Sequence, residues 1–264
     1  MKVGFIGTGN MGGALAAAAS KGEAVELLLA NKPIELAEAL TKKLGGEVGN
    51  NGDVAQKSEI IFLGVTPNIL EALANEIKDI LAGRTDQFLV VSMLAGKTLS
   101  QLEKALGAKY PIIRILPNVP VTVGEGVIMY TPNDAVTEEQ LKAFLALMSN
   151  AGFCSKQEES LIAAGAGVAG CGPAFAAMFI EALADGGVAC GIPRQQAIEY
   201  AAQMVKGTAQ YILEKGIHPG VLKDTVTSPG GTTIQGVRTL EKNGFRSALF
   251  EAVIATVEKD QQLK

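Results

Sequence analysis

Two stretches of this chain place small residues and hydroxyls where they can do chemistry. Near the start, Gly7-Thr8-Gly9-Asn10-Met11-Gly12 reads G-x-G-x-x-G between a strand-like run, KVGFIG, and a helix-like run. In that setting Gly7 permits a tight turn, Gly9 lets the backbone approach a pyrophosphate, and Gly12 lets helix and strand pack closely. The helix N-terminus behind the turn offers unpaired N–H groups and the positive end of its dipole to the anion. Far along the chain, TVTSPGGTTIQGV (225–237) supplies a proline–glycine–glycine turn and paired threonines ahead of a helical pattern. It holds hydroxyls and backbone amides but neither lysine, histidine nor carboxylate. Chemistry there must rest on positioning and hydrogen bonding rather than on a strong acid or base.

The end of the second strand-like run sharpens the first motif. An NAD-binding protein usually places Asp or Glu there to accept from the ribose 2′-hydroxyl, whereas this chain has Ala30-Asn31-Lys32. Asn31 can donate to a 2′-phosphate and Lys32 can neutralise it, which favours NADPH and leaves NADH possible. In a doubly wound sheet the ligand lies beyond the carboxyl ends of the strands. That puts Gly64-Val65-Thr66-Pro67, Met93-Leu94-Ala95-Gly96 and Pro117-Asn118 on the ligand side, with Asn51, just before the third strand-like run, at the adenosine end.

These residues need a scaffold, and the hydrophobic periodicity supplies one. KVGFIG, VELLLAN, EIIFLGV, FLVVSML and PIIRILPN read as strands, with GVIMYTP as the last. Amphipathic segments such as PIELAEALTKKLG, PNILEALANEIKDILAG and TLSQLEKALG lie between the earlier ones. Such alternation implies βαβ units and a parallel sheet, an α/β fold of Rossmann type. From about Leu161 only helical patterns remain. The expected organisation is an NADP-binding domain over 1–155 and an all-helical substrate and dimerisation domain over 156–264.

Composition narrows the partners. Hydrophobic residues make up 48% of the 264 and charged residues only 19%, little for a solvated monomer, so a homodimer or a larger homo-oligomer is expected. Net charge is −4 with no basic run, which argues against nucleic acid. One histidine, His218, and three scattered cysteines make no metal-binding spacing, so no metal site is expected. The opening residues have a signal-like flavour, but Asn10 and Gly4, Gly7, Gly9, Gly12 and Gly13 interrupt any apolar core. Apolar runs elsewhere are also interrupted, and a cytoplasmic protein without a membrane span is expected.

Together GFIGTGNMGGAL, RILPNVPVTVGEG, GCGPAF and HPGVLKDTVTSPGGTTIQGVRTLEKNGFRSALFEAV resemble the pyrroline-5-carboxylate reductases over the whole chain. The resemblance implies NAD(P)H-dependent reduction of 1-pyrroline-5-carboxylate to L-proline, and a helical C-terminal domain that interlocks two subunits. An imine nitrogen is more basic than a carbonyl oxygen, so that substrate suits a site without a strong acid. The resemblance places Thr233 at the imine nitrogen as the catalytic residue. The amides of Gly230, Gly231 and Thr232 suit the substrate carboxylate, with Thr225 a further substrate contact. Ser228 reads rather as a helix cap, and His218 as the start of a short helix. Where family members commonly carry Lys-Pro-Gln, this chain has Thr66-Pro67-Asn68. The Gly/Ala-rich segment AGAGVAGCGPAFAAMFIEALADGG contains no lysine, unlike the interdomain helix of hydroxyisobutyrate-type dehydrogenases, which argues against alcohol oxidation. A non-catalytic NADP-binding sensor is the alternative of another class.

Overall fold

Strands whose residues are mostly apolar on both faces, rather than on alternate ones, need cover on both sides. That is how β1 (Lys2–Ile6), β2 (Glu26–Ala30), β4 (Ile60–Leu63) and β5 (Leu89–Ser92) are buried in the computed structural model, which describes residues 1–262. The period of two sorts their side chains between two cores. Val3, Phe5, Leu27, Leu29, Ile60 and Phe62 face one core, with Phe5 and Phe62 stacked at 4.4 Å. Ile6, Leu28, Ala30, Ile61 and Leu63 face the other. The helices α1 (Asn10–Ala19), α2 (Glu35–Leu44) and α6 (Glu138–Met148) contribute to the first core. The helices α3 (Asn51–Lys57), α4 (Leu70–Ala82) and α5 (Leu99–Leu106) contribute to the second.

With β3 (Glu47–Val48), β6 (Ile112–Pro117), β7 (Gly126–Pro132) and β8 (Gly152–Lys156), the eight strands run in the order β3-β2-β1-β4-β5-β6-β7-β8. All pairs are parallel except β6 with β7. The expected Rossmann-type sheet is present, with additions at both edges. GVIMYTP is not the last strand: Gly152–Lys156 adds β8 beside it, where an edge position tolerates a polar, glycine-led segment. At the other edge β3 and α3 occupy a polar stretch, so Asn51 opens a helix instead of preceding a strand directly. Three helices of this unit begin with reciprocal capping boxes: Asn50 with Asp53, Thr98 with Gln101, and Thr137 with Gln140.

Strands and both core clusters lie within the compact unit built on Met1–Gly170, which also contains α7 (Ile162–Gly165) and a π-helical turn at Ala166–Gly170. The second unit, Cys171–Glu258, holds α8 (Gly172–Ala189), α9 (Arg194–Lys215), α10 (Pro219–Thr225), α11 (Thr232–Lys242) and most of α12 (Phe245–Gln262). α8 and α9 approach closely at Gly187, where a Cβ would sit 3.3 Å from that of Ala197. Only Ala184, Ala197 and Ala201 are buried there, while Met178, Leu213 and Phe250 stand 68%, 82% and 65% exposed. The helical stretch Glu159–Ala189 is long and apolar enough to cross a membrane by length and composition, contrary to the sequence expectation. The sequence already reads as helical from about Leu161, and the glycines of this stretch lie within its helices.

Candidate active site

The strand register builds the cleft expected to hold the cofactor. Ile6 lies level with Ala30 and Leu63, and Leu63 with Ser92, so Gly7, Asn31, Gly64 and Met93 follow in one row at the carboxyl edge. The ladder runs on past the strands through Gly7 N–H to Ala30 O (2.8 Å), Gly64 N–H to Ile6 O (2.7 Å) and Met93 N–H to Leu63 O (3.1 Å). Above this edge lies a cleft of about 440 Å³ that gathers Gly7, Gly9, Asn31, Lys32, Asn51, Gly64, Val65 and Thr66. Those are eight of the residues expected to meet a cofactor.

The three motif glycines have separable reasons. Gly7 has φ +96°, and a Cβ on it would press on the Gly64 backbone at 2.6 Å. At Gly12 a Cβ would collide with the Gly7 carbonyl oxygen. Both are needed by the protein's own packing. Gly9 is not: its φ is −66°, and a Cβ there would meet nothing within 4 Å. The space over Gly9 is open. Gly9 is also the N-cap of α1, with no side-chain cap and no acid in the first turn, so the first amides of the helix stay available to an anion. The Thr8 hydroxyl is buried without a hydrogen-bond partner. Open space, free amides and an orphaned hydroxyl together fit a dinucleotide pyrophosphate.

Other expected contacts are reassigned by their surroundings. Asn31 accepts from the Thr8 amide (2.8 Å) and donates to Pro33 O (2.7 Å), so its amide shapes the turn before it serves a ligand. Met11 packs partly buried against the first core, and Leu94 is buried in the second. Asn10 lines a separate depression on α1 with Lys21 and Lys43. Pro67 opens a 3₁₀ turn, and Ala95, which follows the buried Leu94, is exposed. Asn118 is a structural tie: its Oδ1 accepts from the Val127 amide (2.9 Å) and its Nδ2 donates to Ala169 O (2.8 Å) in the π-helical turn. Sequence reading missed Glu76 altogether. It projects from α4 into the cleft, where Lys32 Nζ (2.8 Å) and Asn51 Nδ2 (2.6 Å) both donate to its carboxylate. Those partners, Lys32 first, hold its pKa below the usual carboxylate value.

A separate group of expected residues lies in the helical unit. Gly231 is the N-cap of α11, again with no side-chain cap and no acid in the first turn. Ser228 therefore does not cap the helix as expected. Its carbonyl instead receives the Gly231 amide (3.1 Å), which removes that amide from the set thought free. Gly230 turns the chain at φ +69°, and the hydroxyl-bearing Thr232 and Thr233 are exposed on the first turn of α11. The Thr225 hydroxyl donates to Leu222 O (2.7 Å). His218 caps α10 by accepting from the Gly220 amide at 3.1 Å, as a helix start should.

Comparison with known proteins covers both ends of the chain. Residues 159–263 match the family description "Pyrroline-5-carboxylate reductase dimerisation", and residues 2–96 match "NADP oxidoreductase coenzyme F420-dependent". The chain is 42% identical over 266 residues to the pyrroline-5-carboxylate reductase of Escherichia coli K12, covering 99% of this chain and 98% of that one. Its fold is similar to the solved pyrroline-5-carboxylate reductase of Coxiella burnetii, with TM-score 0.91, 28% identity and coverage of 99% and 98%. It is also similar to the pyrroline carboxylate reductase of Plasmodium falciparum solved with NADP bound, with TM-score 0.86, 29% identity and coverage of 99% and 97%.

Proposed function

This chain belongs to the pyrroline-5-carboxylate reductase family, and from that premise we propose that it reduces 1-pyrroline-5-carboxylate to L-proline, the last step of proline biosynthesis, with NADPH as the preferred reductant and NADH as a possible second. Two helix N-termini, entered through Gly9 and Gly231 without a side-chain cap, carry this assignment. Each is an anion site in waiting, one fitted to a pyrophosphate and one to a small carboxylate.

NADPH, when bound, supplies the hydride. The pyrophosphate rests on the amides behind Gly9, and Gly64, Val65 and Thr66 line the path along the strand ends. Met93 and Ala95 contribute backbone groups further along. The substrate carboxylate takes the amides of Gly230 and Thr232, and Thr225 lies in reserve nearby in sequence. The Thr233 hydroxyl hydrogen-bonds the imine nitrogen and conducts the proton that the ring nitrogen needs. Since the imine is already basic, orientation of its carbon and exclusion of water make up most of what the protein must do. The division of labour follows the chain: residues 1–155 hold the cofactor, and residues 156–264 hold the substrate and a second subunit. The apolar faces left open on α8 and α12 fit a partner copy within a dimer, and dimers can assemble further. That covering partner, rather than a membrane, accounts for the apolar stretch at 159–189 in a cytoplasmic enzyme.

Loss of NADPH absorbance with 1-pyrroline-5-carboxylate tests the reaction directly. Thr233→Ala is expected to lower kcat about 100-fold or more, the low end of the range for one positioned proton-transfer group, while calorimetric NADPH affinity stays within about twofold of wild type. Full activity in Thr233→Ala would remove that hydroxyl from the mechanism. No turnover by wild-type protein that binds NADPH would remove the substrate.

A further inference from the structure

The cleft contains one carboxylate, on Glu76, and it holds both groups best placed to greet the adenosine ribose. Lys32 Nζ lies 2.8 Å from Oε1 and Asn51 Nδ2 lies 2.6 Å from Oε2. Glu76 comes from α4, with Leu73 and Ile77 of the same helix buried beneath it at 4% and 1% exposure, so the helix is anchored and the carboxylate is delivered to one place. Lys32 follows the carboxyl end of β2 after one intervening residue, where a dinucleotide fold meets the 2′ position of the ribose. The acid that β2 lacks is thus supplied from another element. We propose that Glu76 is a specificity-determining residue that sets the balance between NADPH and NADH, a role that rests on the reductase reading above.

The physical logic is competition. In the free protein the charge of Lys32 is cancelled by Glu76. A 2′-phosphate, carrying about −1.5 to −2 charges near neutral pH, must draw Lys32 away and tolerate the carboxylate beside it. It can do so because the ion pair is largely exposed, 77% at Lys32 and 43% at Glu76, and exposed pairs are weak. A ribose 2′-hydroxyl instead finds in Glu76 an acceptor of the kind NAD sites use. One carboxylate therefore taxes NADPH and favours NADH, while Lys32 favours NADPH.

Titration calorimetry with NADPH and NADH separately, without imine, on wild type, Glu76→Gln and Lys32→Gln tests this. Glu76→Gln keeps the shape and removes the charge. It should tighten NADPH about three- to tenfold, as expected for one screened charge at short range, and weaken NADH about two- to fivefold. Lys32→Gln should weaken NADPH and leave NADH nearly unchanged. Unaltered Kd values for both nucleotides in Glu76→Gln, with wild-type binding intact, would overturn the role of Glu76 and leave the reductase reading standing. Wild-type protein that binds neither nucleotide would overturn both. A tightening of NADPH that disappears at high salt supports the electrostatic origin, and the same change at every salt concentration would overturn it.

Discussion

The two units of this chain solve the burial problem in opposite ways. The sheet unit closes two cores of its own, with Phe5, Phe62 and Phe144 fully buried. The helical unit buries little beyond three alanines and leaves an apolar groove of about 480 Å³ between α8, α11 and α12, lined by Phe175, Met178, Phe179, Leu240, Phe245 and Leu249. A patch of that kind on a free monomer is a docking face, and the match of 159–263 to a dimerisation family supports a second copy as its occupant. The difference predicts that the sheet unit is stable through its own packing, whereas the helical unit, which carries the paired threonines, should depend on a second copy for its stability.

Breaking the assembly should give the largest effect. Met178→Asp places a charge, 68% exposed in the single chain, on the face that a dimer must desolvate. It is expected to yield monomers in sedimentation and at least a 100-fold loss of turnover, while retaining the NADPH affinity of the sheet unit. Wild-type melting should shift with protein concentration, as folding linked to association requires. Dimeric, active Met178→Asp would show that the dimer does not use this face.

Phe62→Ala attacks the other side of the comparison. Phe62 is fully buried and stacked on Phe5 at 8° between ring planes, and truncating such a side chain typically costs about 3–5 kcal/mol. The stability loss should appear in the transition of the sheet unit and be independent of protein concentration. A loss that grows on dilution would mean that the sheet unit, too, owes its stability to the partner.

Gly9→Ala separates folding from binding inside the sheet unit. The new methyl meets no protein atom and the backbone conformation suits alanine, so the melting temperature should rise or fall by no more than about 1 kcal/mol allows. NADPH affinity should nevertheless fall about tenfold or more, because the methyl fills the space left for the pyrophosphate. Gly12→Ala, in contrast, collides with the Gly7 carbonyl and should damage both. Equal NADPH affinity in Gly9→Ala would place the phosphates elsewhere.

What the sequence made legible follows the same divide. The strands mostly apolar on both faces and the G-x-G-x-x-G turn were readable because burial on both faces and backbone approach leave composition signals. The edge elements β3, α3 and β8 were not, because their polar residues sit half in solvent and carry no periodic signal. Nor was Glu76: one glutamate on an amphipathic helix looks like any solvated face, and only the fold brings α4 beside the end of β2. Arg84 is a similar case, a guanidinium that donates to Ala55 O and Ser58 O and covers the Phe88 ring at 4.6 Å. Gly231 was read as one free amide among three, yet its hydrogen bond to Ser228 depends on turn geometry that sequence does not show. In the helical unit the low charge content and the family resemblance already pointed to a second subunit, but not to the residues that would meet it.

The smallest effect tests whether the units are as independent as their burial suggests. Cys154 lies on β8, and burial pushes its thiol pKa up to about 11. The sign is that of a group whose charged form is penalised, so at pH 8 only about one molecule in a thousand carries the reactive thiolate there. Alkylation of Cys154 should therefore be far slower than that of an unperturbed thiol, and should stay slow in Met178→Asp if the environment of β8 is made entirely by its own unit. Cys190, exposed at the end of α8 in the single chain, provides the internal reference in the monomeric variant. Rapid labelling of Cys154 in Met178→Asp would mean that losing the partner loosens the sheet edge, and the cofactor platform would then be a property of the dimer.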